Sequence, residues 1–385
     1  MAVTCSGVLP VYLVGVLAVQ MRPDLDFGTT ALGALVGGFF GCSAVGSPFA
    51  GRLAGRVDSA VVMRVAALVS AGCLLAVAAL VSSAGALAAV LAVAGLANGV
   101  GQPASNGLIA AAVPPQRQGF AYGAKQAAIP FSTLLGGLSV PLLAVPLGWR
   151  FAFAFAGVLG LAAAASVPRV ARLAPRPVTE PSPAAGPYRL SALLVVATGF
   201  VLAAGAGNAL GAFFVESAVD SGVRPGTAGL LAAVASVGGM VTRLLLGALA
   251  DRADRRWLGV VALLMAAGSV GYGLLATGRP ALLAAGLVVG YCSGWAWAGL
   301  ATYSIARMHP GAEARATGVT QGGLGLGSAL GPLAFGALSS ATSYSTAWAA
   351  TAACSLLAAG VVLAGRSLLL RDRPALAEHH RSRRT

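Results

Sequence analysis

Apolar residues form long runs along most of the chain, and mostly short polar stretches separate them. A membrane-crossing helix needs about 20 mostly apolar residues, because each helical residue advances the chain by about 1.5 Å. The pattern therefore predicts an all-α membrane protein with twelve transmembrane helices. These lie at residues 3–20, 29–50, 61–81, 85–108, 119–143, 150–168, 190–214, 226–248, 257–277, 281–305, 315–338 and 345–366.

One polar connection, at residues 169–189, is longer than the others and holds five prolines and four arginines. Proline at that density is incompatible with the interior of a helix or strand, so we predict a cytoplasmic linker. Six helices precede it and six follow. The predicted organisation is a six-helix bundle at 1–168, the linker at 169–189, a second six-helix bundle at 190–366 and a basic tail at 367–385.

Composition agrees with a lipid-facing surface. Hydrophobic residues make up 57% of the chain and charged residues only 9%, whereas soluble domains carry about 25% charged residues. The five cysteines all lie in apolar runs and form no C-x-x-C pair, so neither disulfides nor a metal site is expected. No cofactor is predicted.

The net charge of +14 predicts the orientation of the helices. If the N-terminus is cytoplasmic, only Arg22, Arg150, Arg224 and Arg279 lie outside, which leaves 21 of the 25 basic residues inside. The charge then faces anionic lipid headgroups, and no nucleic-acid partner is needed to explain it. We expect a monomeric multi-pass protein of the inner cell membrane with both termini cytoplasmic.

The two halves repeat each other. The connection that begins at Gly51 recurs at Gly247, 196 residues later. At an offset of 195 residues, small-residue ladders in the fifth and eleventh segments also align, and such ladders let helix backbones approach closely. This repeat indicates a pseudo-symmetric pair of bundles. The aligned ladders are Ala128, Ser132 and Gly136 in the first half and Gly323, Gly327 and Gly331 in the second.

The repeated connection resembles the loop signature of the major facilitator superfamily, roughly G-x-L-A-D-R-x-G-R-R. Residues 247–256 match it apart from Asp254, whereas the first half has Gly55 at the acidic position. The resemblance covers nearly the whole chain. It implies two bundles that rock about a central substrate site and expose it alternately to either side of the membrane.

The loop signature also supplies candidate gating residues. An acidic side chain at a helix end can pair with a basic residue or cap a helix of the other bundle. We therefore expect Asp251 and Arg252 to form the main inner gate, with Arg56 as the weaker counterpart. The alternative is a solvated loop that only sets the topology.

Polar side chains inside membrane helices are costly, so they are candidates for substrate contact. Asn98, Gln102 and Asn106 recur every four residues, which places three amides on one helix face. Lys125 is the only lysine and needs either a partner or a wet cavity, unless its long stem snorkels to the inner interface. The remaining candidates are Gln126, Asn208, Tyr291, Trp295, Thr320 and Gln321.

Several of these candidates have a structural alternative. Gln126 and Gln321 are equivalent in the repeat and could form hydrogen bonds between helices instead. Tyr291 and Trp295 more often pack than stack on a substrate. For Arg243, near the inner end of the eighth segment, we expect snorkelling or a structural salt bridge.

These features predict a secondary active or facilitative transporter of a small solute, with Lys125 and the amides favouring a small organic anion. One alternative is a proton-coupled efflux antiporter of drugs or metabolites, although no aspartate or glutamate lies mid-helix to carry a coupling proton. A non-transporting sensor or scaffold is the alternative from another class. Clustered acid, base or metal residues are missing, so we do not expect an enzyme.

Overall fold

The computed structural model describes residues 1–53, 57–167, 190–252, 257–309 and 312–371. The predicted linker, Arg56 and the tail after Arg371 lie outside these ranges. Within them, twelve helices are long and apolar enough to cross a membrane, as predicted. In chain order we name the first six α1 (Ala2–Leu25), α2 (Thr29–Leu53), α3 (Ser59–Leu80), α4 (Ala84–Ala112), α5 (Gln118–Leu147) and α6 (Trp149–Ser166).

The second bundle repeats this arrangement of six helices. Odd-numbered helices run from the side that carries Met1 to the opposite side, and even-numbered helices return. We call the Met1 side the terminal side and the other the far side. The second six are α7 (Leu190–Asp220), α8 (Pro225–Arg252), α9 (Trp257–Ala276), α10 (Pro280–Met308), α11 (Glu313–Ala341) and α12 (Tyr344–Arg371).

Several helices extend beyond the apolar runs that predicted them, and two of these extensions change the interpretation. α12 continues to Arg371, so the first residues of the predicted tail at 367–385 are helical. α7 continues to Asp220, past the predicted end at 214, and this places Glu216 inside the helix. Glu216 is only 4% exposed because its carboxylate finds partners there, a compensation that hydropathy does not register.

Two helices that the apolar pattern predicted as continuous are interrupted. α5 has a π-helical turn at Val140–Ala144, which contains Pro141. α10 has one at Gly290–Gly294, and turns follow before the helix resumes at Ala298. Proline lacks the N–H that the helical ladder needs, and such bulges occur often at functional sites.

The predicted small-residue ladders pack each half together. In the second bundle, Gly327 and Gly331 lie so close to α7 that an added Cβ would overlap its backbone at Val201 and Gly205. The equivalent ladder on α5 packs against α1, where Ser132 donates to the carbonyl oxygen of Cys5 at 3.3 Å. Both halves therefore pack the small-residue ladder of the fifth helix against the first helix.

The two bundles meet along three helix pairs: α1 with α7, α2 with α11, and α5 with α8. Close backbone approach marks each pair in the far half of the molecule. A Cβ added to Gly15, Gly33 or Gly137 would lie 2.8 Å or less from backbone atoms of the other bundle. The far half is thus closed between the bundles.

Gly331 provides a direct test of this packing. Substituting Gly331→Ala inserts a methyl group against Gly205 of α7, and overpacking of this kind costs about 1–3 kcal/mol. We expect a clearly lower melting temperature for the purified protein in detergent, measured by intrinsic fluorescence. Gly360→Ala is the control, because a Cβ there meets no atom within 4 Å. Equal melting temperatures for the two variants would contradict the proposed packing.

Candidate functional site

A cavity of about 670 Å³ lies between the two bundles. Its walls come from α1, α2, α4 and α5 of the first bundle and from α7, α8, α10 and α11 of the second. These helices are equivalent in pairs through the repeat. The lining residues belong to the middle and the terminal half of each helix, so the cavity lies on the terminal side of the closed contacts.

Most of the predicted substrate-contacting residues meet at this cavity. The structure does not bring Tyr291 or Thr320 to its wall. Tyr291, in the π-helical turn of α10, is 2% exposed and packs its ring edge-on against that of Trp295 at 5.3 Å, so it supports Trp295 without reaching the wall itself. Thr320 donates to the carbonyl oxygen of Thr317, within its own helix, at 3.1 Å. The lining residues among the predicted set are Asn98, Gln102, Asn106, Lys125, Gln126, Asn208, Trp295 and Gln321.

Lys125 points into the protein and not toward the membrane interface. Its side chain is 6% exposed. The ammonium donates to Asn106 Oδ1 at 2.5 Å and to the carbonyl oxygen of Gln102 at 3.1 Å. Both acceptors are neutral, so these bonds orient the ammonium without neutralising it. Snorkelling is therefore not what the structure shows for this lysine.

The amide face of α4 forms a chain of hydrogen bonds beside the lysine. Gln102 Nε2 donates to Asn98 Oδ1 at 3.1 Å, and Asn98 Nδ2 donates to Ser43 Oγ on α2 at 2.9 Å. The four-residue spacing places these amides in contact as the sequence predicted. Ser43 was not among the predicted residues, since a serine in a membrane helix usually bonds its own backbone.

Arg243 contradicts our expectation of snorkelling or a structural salt bridge. It is 3% exposed and lines the cavity from α8. One guanidinium nitrogen donates to the carbonyl oxygen of Gln126 at 2.9 Å, and another donates to that of Trp295. Its Nε has no hydrogen-bond partner. Arg243 precedes Asp251 by two helical turns, about 12 Å along α8. This distance from the helix end is the sequence signal that could have indicated a buried position.

Tyr12 is a further lining residue that the sequence analysis missed. Its hydroxyl donates to Asn208 Oδ1 at 2.8 Å, and its ring meets that of Trp295 edge-on at 5.5 Å. Tyr12 and Asn208 are 196 residues apart, which is the offset of the repeat. Applying that offset to Asn208 would have identified Tyr12. The bond joins α1 to α7 at the deepest part of the cavity.

The charge of the cavity is entirely positive within the part of the chain that the structure describes. Lys125 and Arg243 are its only charged lining residues, and no aspartate or glutamate contributes to the wall. Neutral amides, hydroxyls and aromatic rings make up the rest of the polar lining. Across the described ranges, no group of three His, Cys, Asp or Glu residues could hold a metal ion.

An ion pair closes the far side. Arg22 at the end of α1 pairs with Glu216 of α7. Thr29 of α2 accepts from Arg22 at 2.7 Å and donates to Glu216 at 3.0 Å, and the Tyr344 hydroxyl lies 3.4 Å from Thr29. Four helices from both bundles thus share one polar cluster, which the sequence analysis did not predict because it placed Glu216 in a connection.

On the terminal side, the carboxylate of Asp251 caps α5. Its two oxygens accept from the backbone N–H groups of Gly119 and Phe120, each at 2.7 Å. An anion at a helix N-terminus is favourable because the free N–H groups and the helix dipole point at it. Arg252 is exposed at the end of α8, and Arg56 lies outside the described residues.

On the terminal side, the α5–α8 edge and the α2–α11 edge between the bundles are equivalent through the repeat, but they differ in packing. Along α5 and α8, a Cβ added to Gly123 would lie 2.7 Å from the carbonyl oxygen of Arg243. Gly318 of α11, the repeat counterpart of Gly123, meets no described atom within 4 Å. Among the described residues, the bundles therefore pack closely at the α5–α8 edge and make no such contact at Gly318.

Comparisons with known proteins agree on one family. Residues 1–196 and 195–384 each match the sequence model of the Major Facilitator Superfamily. The structure is similar to that of a bacterial homologue of the human lysosomal transporter Spinster, solved in an inward-facing and occupied conformation. The TM-score is 0.73 at 19% identity, over 96% of both chains. No functionally curated protein matches the sequence.

Two further transporters share the fold. The nucleoside transporter NupG, solved as a mutant, gives a TM-score of 0.72 at 16% identity over 94% of this chain and 98% of that chain. A D-xylose–proton symporter gives 0.71 at 17% identity over 94% and 95%. At these identities the similarity shows the fold alone.

The ion pair on the far side can be tested by charge exchange. Glu216→Gln leaves Arg22 without its counterion, and we expect a loss of about 1–2 kcal/mol, since Arg22 is partly exposed and solvent screens the pair. The melting temperature should fall by a few degrees. The double exchange Arg22→Glu with Glu216→Arg should recover about half of that loss.

Arg224→Gln is the matched control, because Arg224 is an exposed arginine on the same side. Its melting temperature should stay at that of the unmodified protein. A double exchange no more stable than Glu216→Gln alone would show that the pair does not hold the far side closed.

Proposed function

The chain belongs to the major facilitator superfamily and is a multi-pass membrane transporter, and on this premise we propose that it carries a small organic anion by alternating access. The observation that supports the anion is Lys125. Its ammonium is buried in the cavity, and both of its hydrogen-bond acceptors are neutral. A buried charge is costly unless an opposite charge compensates it, and a bound carboxylate or phosphate would do so.

The surrounding groups suit such a ligand. An ammonium has three donors, and Lys125 uses two of them on Gln102 and Asn106. Amides of Gln126 and Gln321 line the same cavity and can donate to further oxygens of an anion. The volume of about 670 Å³ is in the range of sites for small organic ligands. Since one chain supplies the whole cavity, we propose that a monomer is the working unit.

The closed far side and the cavity on the terminal side support an inward-facing state. The excess of basic residues on the terminal side supports a cytoplasmic location for that side under the positive-inside rule. We therefore propose that the ion pair of Arg22 and Glu216 closes the outer face while the site is open to the cytoplasm. In the opposite state this ion pair would separate and the terminal side would close.

Our candidates for the inner gate remain Asp251, Arg252 and Arg56. For Asp251 we propose a more specific role. Its contact with α5 is present while the cavity lies open around Gly318. We propose that Asp251 anchors the α5–α8 edge, about which the bundles rock. Closure would then take place at the α2–α11 edge, and Arg56 follows α2 in the sequence.

The efflux alternative has less support. A cationic drug would be repelled by the two cations of the cavity, and no carboxylate on its described wall could exchange a proton with such a drug. A sensor or scaffold would not need a cavity of this polarity between its two bundles. A proton as coupling ion stays open under the anion proposal, because a substrate carboxylate can itself carry the proton.

A thermal-shift screen of the purified protein tests the anion. We expect small carboxylates or phosphates to raise the melting temperature, since ligand binding stabilises the folded state, whereas neutral sugars and cationic drugs should not. Lys125→Ala should clearly reduce the shift, whereas substitution of the exposed Arg117 before α5, Arg117→Ala, should leave it unchanged. A cationic drug that binds Lys125→Ala and the unmodified protein equally would overturn the proposal.

The role of Asp251 predicts a defect in transport without a defect in insertion. Asp251→Asn removes the negative charge and leaves only one oxygen to accept from Gly119 or Phe120. Hydrogen bonds to charged groups are worth about 1.5–3 kcal/mol, so we expect transport to slow by about tenfold or more. The measurement is uptake of an anion identified in the screen, into proteoliposomes with equal amounts of protein.

Asp220→Asn is the control, because Asp220 is an exposed carboxylate at the end of α7. Both variants should insert into membranes in normal amounts. Equal uptake rates in Asp251→Asn and in the control would exclude an anchoring role.

A further inference from the structure

Two buried cations share the cavity, and each comes from a different bundle. Lys125 of α5 is 6% exposed and Arg243 of α8 is 3% exposed. All of their hydrogen-bond acceptors are neutral: three backbone carbonyls and one amide oxygen. The ion pair of Arg22 and Glu216 lies on the far side, away from both cations.

The guanidinium of Arg243 is held in a fixed orientation that suits a bound anion. α10 breaks at its π-helical turn, and the carbonyl of Trp295 just beyond that turn accepts one arm of the guanidinium. The carbonyl of Gln126 accepts the other arm, so the group is held in one orientation. Its Nε is buried and has no partner. A buried donor left unpaired is unfavourable, and an anionic oxygen would satisfy it.

We propose that the substrate is an organic anion with two acidic groups, one held at Lys125 and the other at Arg243, and that transport is an obligatory exchange of one such anion for another. This inference rests on the proposed function and goes further in two respects. It assigns a second anion subsite to the second bundle. It also assigns the mode of coupling.

Exchange follows from the charge balance of the cavity. To change the side it faces, the protein must pass through a state in which the cavity is closed to both sides and the cations lose water. With a dianion bound, the two positive charges are neutralised. Without it, no carboxylate of the cavity wall can take its place. The loaded protein should therefore reorient readily and the empty protein slowly.

The charge balance of the cavity distinguishes obligatory exchange from modes of transport in which the protein returns empty. A transporter that returns empty would need an acidic side chain able to swing onto the cations after the substrate leaves. Glu216 is buried but lies at the far end, where it already pairs with Arg22. Asp251 caps α5 with both oxygens. Neither lines the cavity, and the exposed Glu313 at the start of α11 does not line it either. The substrate is therefore the counterion that fits between the two cations.

The first measurement compares dianions with monoanions of matched size. Succinate, glutarate and phthalate are tested by thermal shift against succinamate, glutaramate and phthalamate, in which one carboxylate is replaced by an amide. We expect at least one dianion to raise the melting temperature at about tenfold lower concentration than its monoamide. Monoamides that stabilise the protein as well as the dianions would overturn the two-site assignment. If no anion binds at all, the proposed function itself fails.

The second measurement uses the radiolabelled dianion with the largest shift and proteoliposomes loaded with either the same unlabelled anion or chloride buffer alone. Each uncompensated buried charge should slow the reorientation of the empty protein by several factors of ten. We therefore expect uptake to be at least about 100-fold faster into vesicles that contain the dianion. Equal rates in both vesicle types would establish uniport. Concentrative uptake into chloride-loaded vesicles on an imposed pH gradient would establish proton coupling. Either result overturns exchange while leaving the anion proposal intact.

Substitutions of the two cations complete the test. Arg243→Gln and Lys125→Gln each remove one charge from the cavity. Each variant should therefore bind succinamate about as well as succinate. In each, the ratio of the uptake rate with internal dianion to the uptake rate without it should fall by about tenfold or more. Lys125→Arg keeps the charge and should keep the exchange requirement. Because Arg243 also braces α10, Lys125→Gln decides the matter if Arg243→Gln does not fold. A Lys125→Gln protein that still demands exchange and still prefers the dianion would refute the inference.

Discussion

Backbone polar groups have no water to bind inside a membrane, and the rest of this structure depends on that constraint. Every spanning segment must be helical, except where the backbone is buried in protein or lines a cavity. The break in α10 obeys this rule, because the carbonyl of Trp295 next to the cavity is satisfied by Arg243. The arginine thereby stabilises an irregular backbone and places a positive charge in the cavity at the same time.

Close helix packing follows from the same constraint. Lipid offers no hydrophobic drive for helices to associate, so contact between small residues must hold them together. Glycines of α11 let it approach the backbone of α7, and the equivalent ladder of α5 meets α1. Under the proposed alternating access, bundles built on such contacts would move as units, and polar groups at the edges between them would make and break contacts.

Sequence periodicity predicted the helices and the repeat well, because both depend on residue type at regular intervals. The four-residue spacing of Asn98, Gln102 and Asn106 also predicted one amide face correctly. The burial of Glu216 was missed, because the predicted segment ended at residue 214, where the apolar run ends. Hydropathy placed Arg243 inside its segment but does not say whether a charged side chain points to the interface or into a cavity. Tyr291 and Trp295 do pack together, as their four-residue spacing suggested, but spacing alone does not say which of the two rings reaches the cavity.

The asymmetry between the halves is the last feature that their sequences explain. Asp251 in the second-half loop holds the start of α5, whereas the first half carries Gly55 at the equivalent position and has no carboxylate to offer α11. Gly318 of α11 meets no described atom, while its counterpart Gly123 packs against α8. Under the proposed mechanism, this one difference between the repeats would separate an edge that persists from an edge that moves, and both cavity cations, on α5 and α8, belong to helices of the edge that persists. The charge that attracts an anion would then stay assembled while the opposite edge opens and closes.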